Sequence, residues 1–152
     1  MYLKEYLKQF GDKKIKIFVD MDGVIVDYVF GSPKDYDKKR PLFDSINKLK
    51  EISEMENIEL FILSTPREEE GCQQKQEWLD KYAPFFKKEN RIIISREARD
   101  MTKSSDIKIE YLNKVARDGT ILIVIDDDPR IMKEIYKENE DIIILKDTVL
   151  VD

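Results

Sequence analysis

Five short isoleucine-rich runs recur along the chain, each parted from the next by a stretch with helical periodicity. The runs are Ile15–Asp20 (IKIFVD), Ile58–Leu63 (IELFIL), Arg91–Ser95 (RIIIS), Ile121–Asp126 (ILIVID) and Ile142–Leu145 (IIIL). Runs apolar on both faces, ILIVI above all, suit strands of a parallel sheet covered by helices on each side. Strand alternating with helix predicts an α/β fold with right-handed crossovers and an open parallel sheet.

The intervening stretches support this. Phe43, Ile46, Leu49 and Ile52 make an apolar stripe among lysines and glutamates, behind Pro41, which suits a first turn. Gln73–Tyr82 carries Trp78, Leu79 and Tyr82 at helical spacing, and Pro84 stops it. These rings, with Phe85 and Phe86, read as core. Ser104, Ser105 and Asp106 offer caps to a helix carrying Ile109, Leu112 and Val115, closed by Gly119. Asp128 caps a helix opened by Pro129. Tyr2–Phe10 is a short amphipathic helix ended by Gly11. At 152 residues the chain is expected to form a single domain, residues 1–152.

Composition narrows the chemistry. Histidine is absent, so no Ser-His-Asp triad, Cys-His pair or His-ligated zinc site can form within the chain. Cys72 is the one cysteine, which excludes an internal disulfide and a Cys-cluster metal site. Carboxylates, hydroxyls, lysines, arginines and a hard cation remain. A net charge of −5 argues against a nucleic-acid coat. With no apolar run of about 20 residues and no signal-like start, a cytoplasmic protein that does not engage a membrane is expected.

In open parallel sheets, sites form beyond the carboxyl ends of the strands. Here those ends read Asp20-Met21-Asp22-Gly23, Ser64-Thr65-Pro66-Arg67, Ser95-Arg96 and Asp126-Asp127-Asp128-Pro129. Drawing the first and fourth ends together would gather carboxylates that repel one another unless a cation lies among them. An oxygen-only donor set selects a hard ion such as Mg²⁺, which binds through carboxylates plus substrate phosphate. Such a site suits phosphoryl transfer to a carboxylate. Gly23 lets the chain turn sharply beside the ligand.

On these residues the chain resembles the haloacid dehalogenase (HAD) superfamily phosphatases. FVDMDGV matches an apolar strand ending in DxDG[TV], LST a strand ending in Ser or Thr, and VIDDDP the acidic motif in its DD form. The resemblance implies a three-layer, Rossmann-like fold with strand order 3-2-1-4-5, an aspartyl-phosphate mechanism and Mg²⁺. By its motifs, Asp20 is the nucleophile and Asp22 the general acid/base, whose main-chain carbonyl also meets the metal. Ser64 holds a phosphoryl oxygen, with Thr65 its neighbour. Asp20 and Asp126 bind Mg²⁺, and Asp127 does so directly or through water. The phosphate lysine is assigned to Lys103, with Lys108 the alternative. Within the superfamily, VDMDGVIVDY, KQEWLDKYAPFF with RIIISR, and ILIVIDD look most like 5′(3′)-deoxyribonucleotidases, which makes Arg96 a substrate-binding candidate. That group carries a lysine two residues beyond this arginine; here the position is Ala98. Residues 26–40 leave room for a loop or at most a minimal cap, and Tyr28–Tyr36 is the candidate for closing the site.

The expected function is therefore a Mg²⁺-dependent phosphomonoesterase acting on a small phosphate ester such as a nucleotide. The competing readings are a non-catalytic or regulatory module on the same fold, and a phosphatase of a macromolecular phosphate such as a polynucleotide end. A signalling receiver fits poorly, because the end of the third run lacks an acceptor aspartate. The expected partner is a small phosphorylated substrate, with nucleic acid disfavoured and self-association left open.

Overall fold

The structure, a computed structural model, describes residues 2–28 and 35–151. Its elements follow the predicted alternation: α1 (Leu3–Leu7), β1 (Ile15–Val19), α2 (Phe43–Ser53), β2 (Ile58–Ser64), α3 (Glu69–Tyr82), β3 (Arg91–Ile93), α4 (Ser104–Asn113), β4 (Ile121–Asp126), α5 (Pro129–Glu138) and β5 (Ile143–Lys146). The five strands form one sheet in the order β3-β2-β1-β4-β5, and every neighbouring pair is parallel. Strand order and fold class are those expected from the sequence.

Two apolar clusters lie against the sheet. Ile15, Ile17 and Val19 of β1 join the cluster that holds Leu49, Ile52, Trp78 and Leu79 of α2 and α3. Phe18 joins the other, with Leu112 and Ile135 of α4 and α5. Alternate residues of one strand thus feed opposite layers, and this is why β1 is buried along nearly its whole length.

Some local expectations are corrected. Pro41 does not open α2; it bridges Val26, and Leu42 takes the N-cap. Phe43 leaves the apolar stripe and is exposed, stacking its edge on Tyr82. Lys103, not a serine, is the N-cap of α4, because the Ser104 hydroxyl is bonded to Thr65. Asp128 caps α5 as read, accepting from the Arg130 amide. α1 is shorter than expected and runs into a tight 3-10 turn ended by Gly11. Among the described residues, no helix is long and apolar enough to cross a membrane.

Candidate active site

The register of β1 against β4 sets the centre of the site. Val19 pairs with Ile125, and the Asp20 amide donates to the Ile125 carbonyl at 3.0 Å. The next residues on the two strands, Asp20 and Asp126, therefore stand side by side. Carboxylate oxygens of Asp20, Asp126 and Asp127 all lie within 4.8 Å of one another. β2 pairs with β1 on its other edge and delivers Ser64, fully buried, at its end.

A buried lysine stands between the two strand-end acids. The Lys108 ammonium lies 3.2 Å from Asp20 Oδ1 and donates to Asp126 Oδ2 at 2.8 Å, with only 2% of its side chain exposed. Burial pulls its pKa down, but the Asp20 and Asp126 carboxylates outweigh this and hold it above the ordinary lysine value. Of the two lysines weighed for the phosphate, Lys108 is the one that contacts Asp20 and Asp126. Lys103 is exposed at the N-cap of α4, and Lys108, one turn further on, points back at Asp20. Both line the same cavity.

Asp22 faces a different set of groups. It accepts hydrogen bonds from the Tyr36 hydroxyl at 2.7 Å and from the Lys75 ammonium at 3.1 Å, and Lys39 lies 4.0 Å away. Burial pushes its pKa up, but Lys75, the Tyr36 hydroxyl and Lys39 together hold it below the ordinary carboxylate value. Its carboxylate is not among the three acids that cluster, which are Asp20, Asp126 and Asp127. Lys75 also donates to Ser64 Oγ at 2.5 Å, tying α3 to the end of β2.

Lys75 and Tyr36 were not read as site residues. The signal for Lys75 was available: on α3 it stands three and four residues before Trp78 and Leu79, so it is a charged residue on the buried face. Tyr36 lies in a segment with no periodicity, and only the fold brings its ring against Trp78. Residues 29–34 of the expected closing loop lie outside the described residues.

The donors fit a hard divalent cation. They are all carboxylate oxygens, and crowding makes their charge costly without one. Burial, then the neighbouring Asp126 and Asp22, push Asp20 up to about 6 against the pull of Lys108 and Lys75. Burial together with Asp20 and Asp126 pushes Asp127 up to about 7. Gly23 makes the cradle: its φ is +81°, and a Cβ there would fall 1.9 Å from Asp127 Oδ2. Only glycine leaves room for that carboxylate.

The remaining candidates rim the cavity. Thr65 hydrogen-bonds Ser104 across it. Arg96 lines it from the loop after β3, held there because its amide donates to the Pro66 carbonyl at 2.8 Å. The cavity holds about 520 Å³, and Asp20, Asp22, Ser64, Lys75 and Lys108 form its floor.

No family model and no curated protein matches the chain. Solved structures do. A chain in the structure of the Pnkp1/Rnl/Hen1 RNA repair complex superposes with a TM-score of 0.68 at 17% identity, over 90% of this chain and 43% of that one. The N-terminal part of BF1531 from Bacteroides fragilis, containing a phosphatase domain complexed with Mg, gives 0.57 at 14% identity, over 92% and 38%. The HAD domain of the effector protein Lem4 from Legionella pneumophila gives 0.54 at 14%, over 90% and 86%. The chain spans less than half the length of the first two. At these identities the likeness is one of fold, and by its strand order and helical layers the chain has a HAD-like α/β fold.

Proposed function

We propose that the protein is a Mg²⁺-dependent phosphomonoesterase that works through a phosphorylated Asp20. The observation that carries this reading is the placement of Asp20 and Asp126 side by side just past the Val19–Ile125 pair, with the Lys108 ammonium between them. The Mg-bound phosphatase domain among the fold neighbours supports it.

In the first step an Asp20 carboxylate oxygen attacks phosphorus, and the bond from phosphorus to the ester oxygen breaks. The leaving oxygen takes a proton from Asp22. In the second step water attacks the acyl phosphate, gives its proton to Asp22 and releases inorganic phosphate from Asp20. Asp20, Asp126 and Asp127 would hold Mg²⁺, which would supply charge to neutralise phosphoryl oxygens. Ser64 and Lys75 hold further phosphoryl oxygens. Lys108 keeps Asp20 ionised and oriented. Lys75 has a double use here. When it turns from Asp22 to the phosphoryl group, Asp22 loses its strongest cationic neighbour and its pKa rises, which suits the acid role of the first step.

The test is phosphate release from an aryl phosphate in the presence of Mg²⁺. Asp20→Asn, similar in size and not nucleophilic, is expected to reduce turnover to background. Undiminished turnover in that variant would reject the assignment.

A second reading, a phosphatase acting on the phosphorylated end of a polynucleotide, is favoured by the likeness to a chain of an RNA repair complex.

A further inference from the structure

The wall of the cavity above the acidic floor is cationic in a way that hydrolysis of a lone phosphate does not use. Arg96 and Lys103 both line it, contributed by the loop between β3 and α4 and by the N-cap of α4. The chain carries 32 acidic residues against 27 basic ones. Even so, neither side chain has an ion-pair or hydrogen-bond partner among the described residues, and the Arg96 Nε atom is buried with no acceptor. A buried guanidinium nitrogen without an acceptor is costly, and an incoming anion relieves that cost.

The loop that carries them is fixed. The Arg96 and Glu97 amides donate to the Pro66 and Arg67 carbonyls, and the Met101 amide donates back to the Arg96 carbonyl. Asp100 and Met101 both take left-handed backbone conformations to close it. The third cation of the wall, Arg130, is already paired with Asp128 on α5. The acids Asp128 and Glu134 of the lining also belong to α5, so the unpaired charge is concentrated on the β3–α4 side.

We propose that Arg96 and Lys103 form a second anion subsite, which takes a further phosphate of the same substrate. The inference rests on the phosphatase reading of the floor and names its substrate class: a phosphomonoester bearing a further phosphate within the same cavity. No aromatic side chain lines the cavity among the described residues, and Ile131 is its one apolar residue. Recognition beyond the scissile phosphate by the described residues therefore falls mainly to charge. The second phosphate can be a monoester, as in a nucleoside bisphosphate, or the first phosphodiester of a polynucleotide end.

The experiment measures phosphate release with Mg²⁺ from adenosine 3′-monophosphate, adenosine 3′,5′-bisphosphate and a dinucleotide with a 3′-phosphate. At least one doubly charged substrate is expected to exceed the monophosphate in kcat/KM by roughly tenfold or more, mainly through a lower KM, as two charge-assisted contacts would give. Whichever of the two is preferred identifies the source of the second phosphate. In the variant Arg96→Gln with Lys103→Gln the ratio should fall to near one, and in Arg96→Lys with Lys103→Arg it should largely return. A ratio near one in the unaltered protein, or one unchanged in the double-Gln variant, overturns the subsite while leaving the phosphatase reading intact. Failure to cleave any ester, the aryl phosphate included, overturns the phosphatase reading instead. Calorimetric titration of the Asp20→Asn protein with the same three compounds then reads the subsite without turnover. Equal affinity for all three contradicts it.

Discussion

The ammonium groups of Lys75 and Lys108 are each buried against a different carboxylate of the Asp-Met-Asp turn, so the two acids answer to different cations. Lys108 sits between Asp20 and Asp126, and Lys75 between Asp22 and Ser64. Replacing Lys108 by Met leaves two buried carboxylates facing each other. The expected result is a loss of about 10²-fold or more in kcat and a loss of stability of roughly 3–5 kcal/mol without Mg²⁺. Steady-state kinetics and denaturant unfolding with and without the ion check both, and Mg²⁺ should recover part of the stability. At Gly23, the substitution Gly23→Ala forces a Cβ into Asp127 and onto a left-handed backbone. Mg²⁺ affinity, read by calorimetry, should weaken by about 10–100-fold, the range seen when the support of a metal ligand is disturbed. Unchanged affinity would mean that Asp127 is not a ligand.

α3 is the element that couples the core to the candidate site. Its buried face runs Lys75, Trp78, Leu79, so one helix both packs on the sheet and places a cation in the site. Trp78 Nε1 donates to the Lys39 carbonyl, and its ring meets Tyr36 edge-on. Trp78 therefore anchors the segment from which Tyr36 reaches Asp22. Trp78→Phe keeps most of the packing but removes that hydrogen bond. Stability is expected to fall by about 1–2 kcal/mol, and kcat to fall by a larger factor than a uniform loss of folded protein explains. The comparison needs only thermal melts beside kinetics at a temperature where both proteins are folded.

The same helix shows what could be read from sequence. Every strand was legible, because buried parallel strands write themselves as continuous isoleucine and valine runs. Asp20, Asp22, Ser64, Asp126 and Asp127 were legible because they directly follow those runs. The choice between Lys103 and Lys108 was not settled by spacing. It depends on which residue of α4 faces inward, and there Ser105, Lys108 and Leu112 share the buried side. Tyr36 left no trace in the sequence, since a loop residue has no period to betray its direction.

Over the whole molecule, an acidic pocket with a fixed shape ties folding to pH and metal. Burial raises Asp20 to about 6, and burial with its acidic neighbours raises Asp127 to about 7, both from an ordinary value of 3.8. Between that ordinary value and about 7 the metal-free folded protein binds more protons than the unfolded chain. Its stability must therefore fall as pH rises through that window, by an amount on the order of a few kcal/mol. Asp22, lowered instead, loses its contribution only as pH drops below the ordinary carboxylate range. Denaturant unfolding of the metal-free protein should show greater stability near pH 5 than near pH 7.5, and Mg²⁺ should stabilise most at the higher pH. A metal-free curve that instead rises across that window would contradict the clustering of Asp20 and Asp127.

The most direct measurement is chemical capture of the covalent intermediate. The protein is mixed with an aryl phosphate and Mg²⁺, quenched in acid during turnover, and treated with borohydride, which reduces an acyl phosphate to an alcohol. Peptide mass spectrometry should then find homoserine in place of Asp20, and at no other aspartate. Steady turnover with Asp20 unmodified, or with the label on another residue, would contradict nucleophilic attack by the carboxylate at the end of β1.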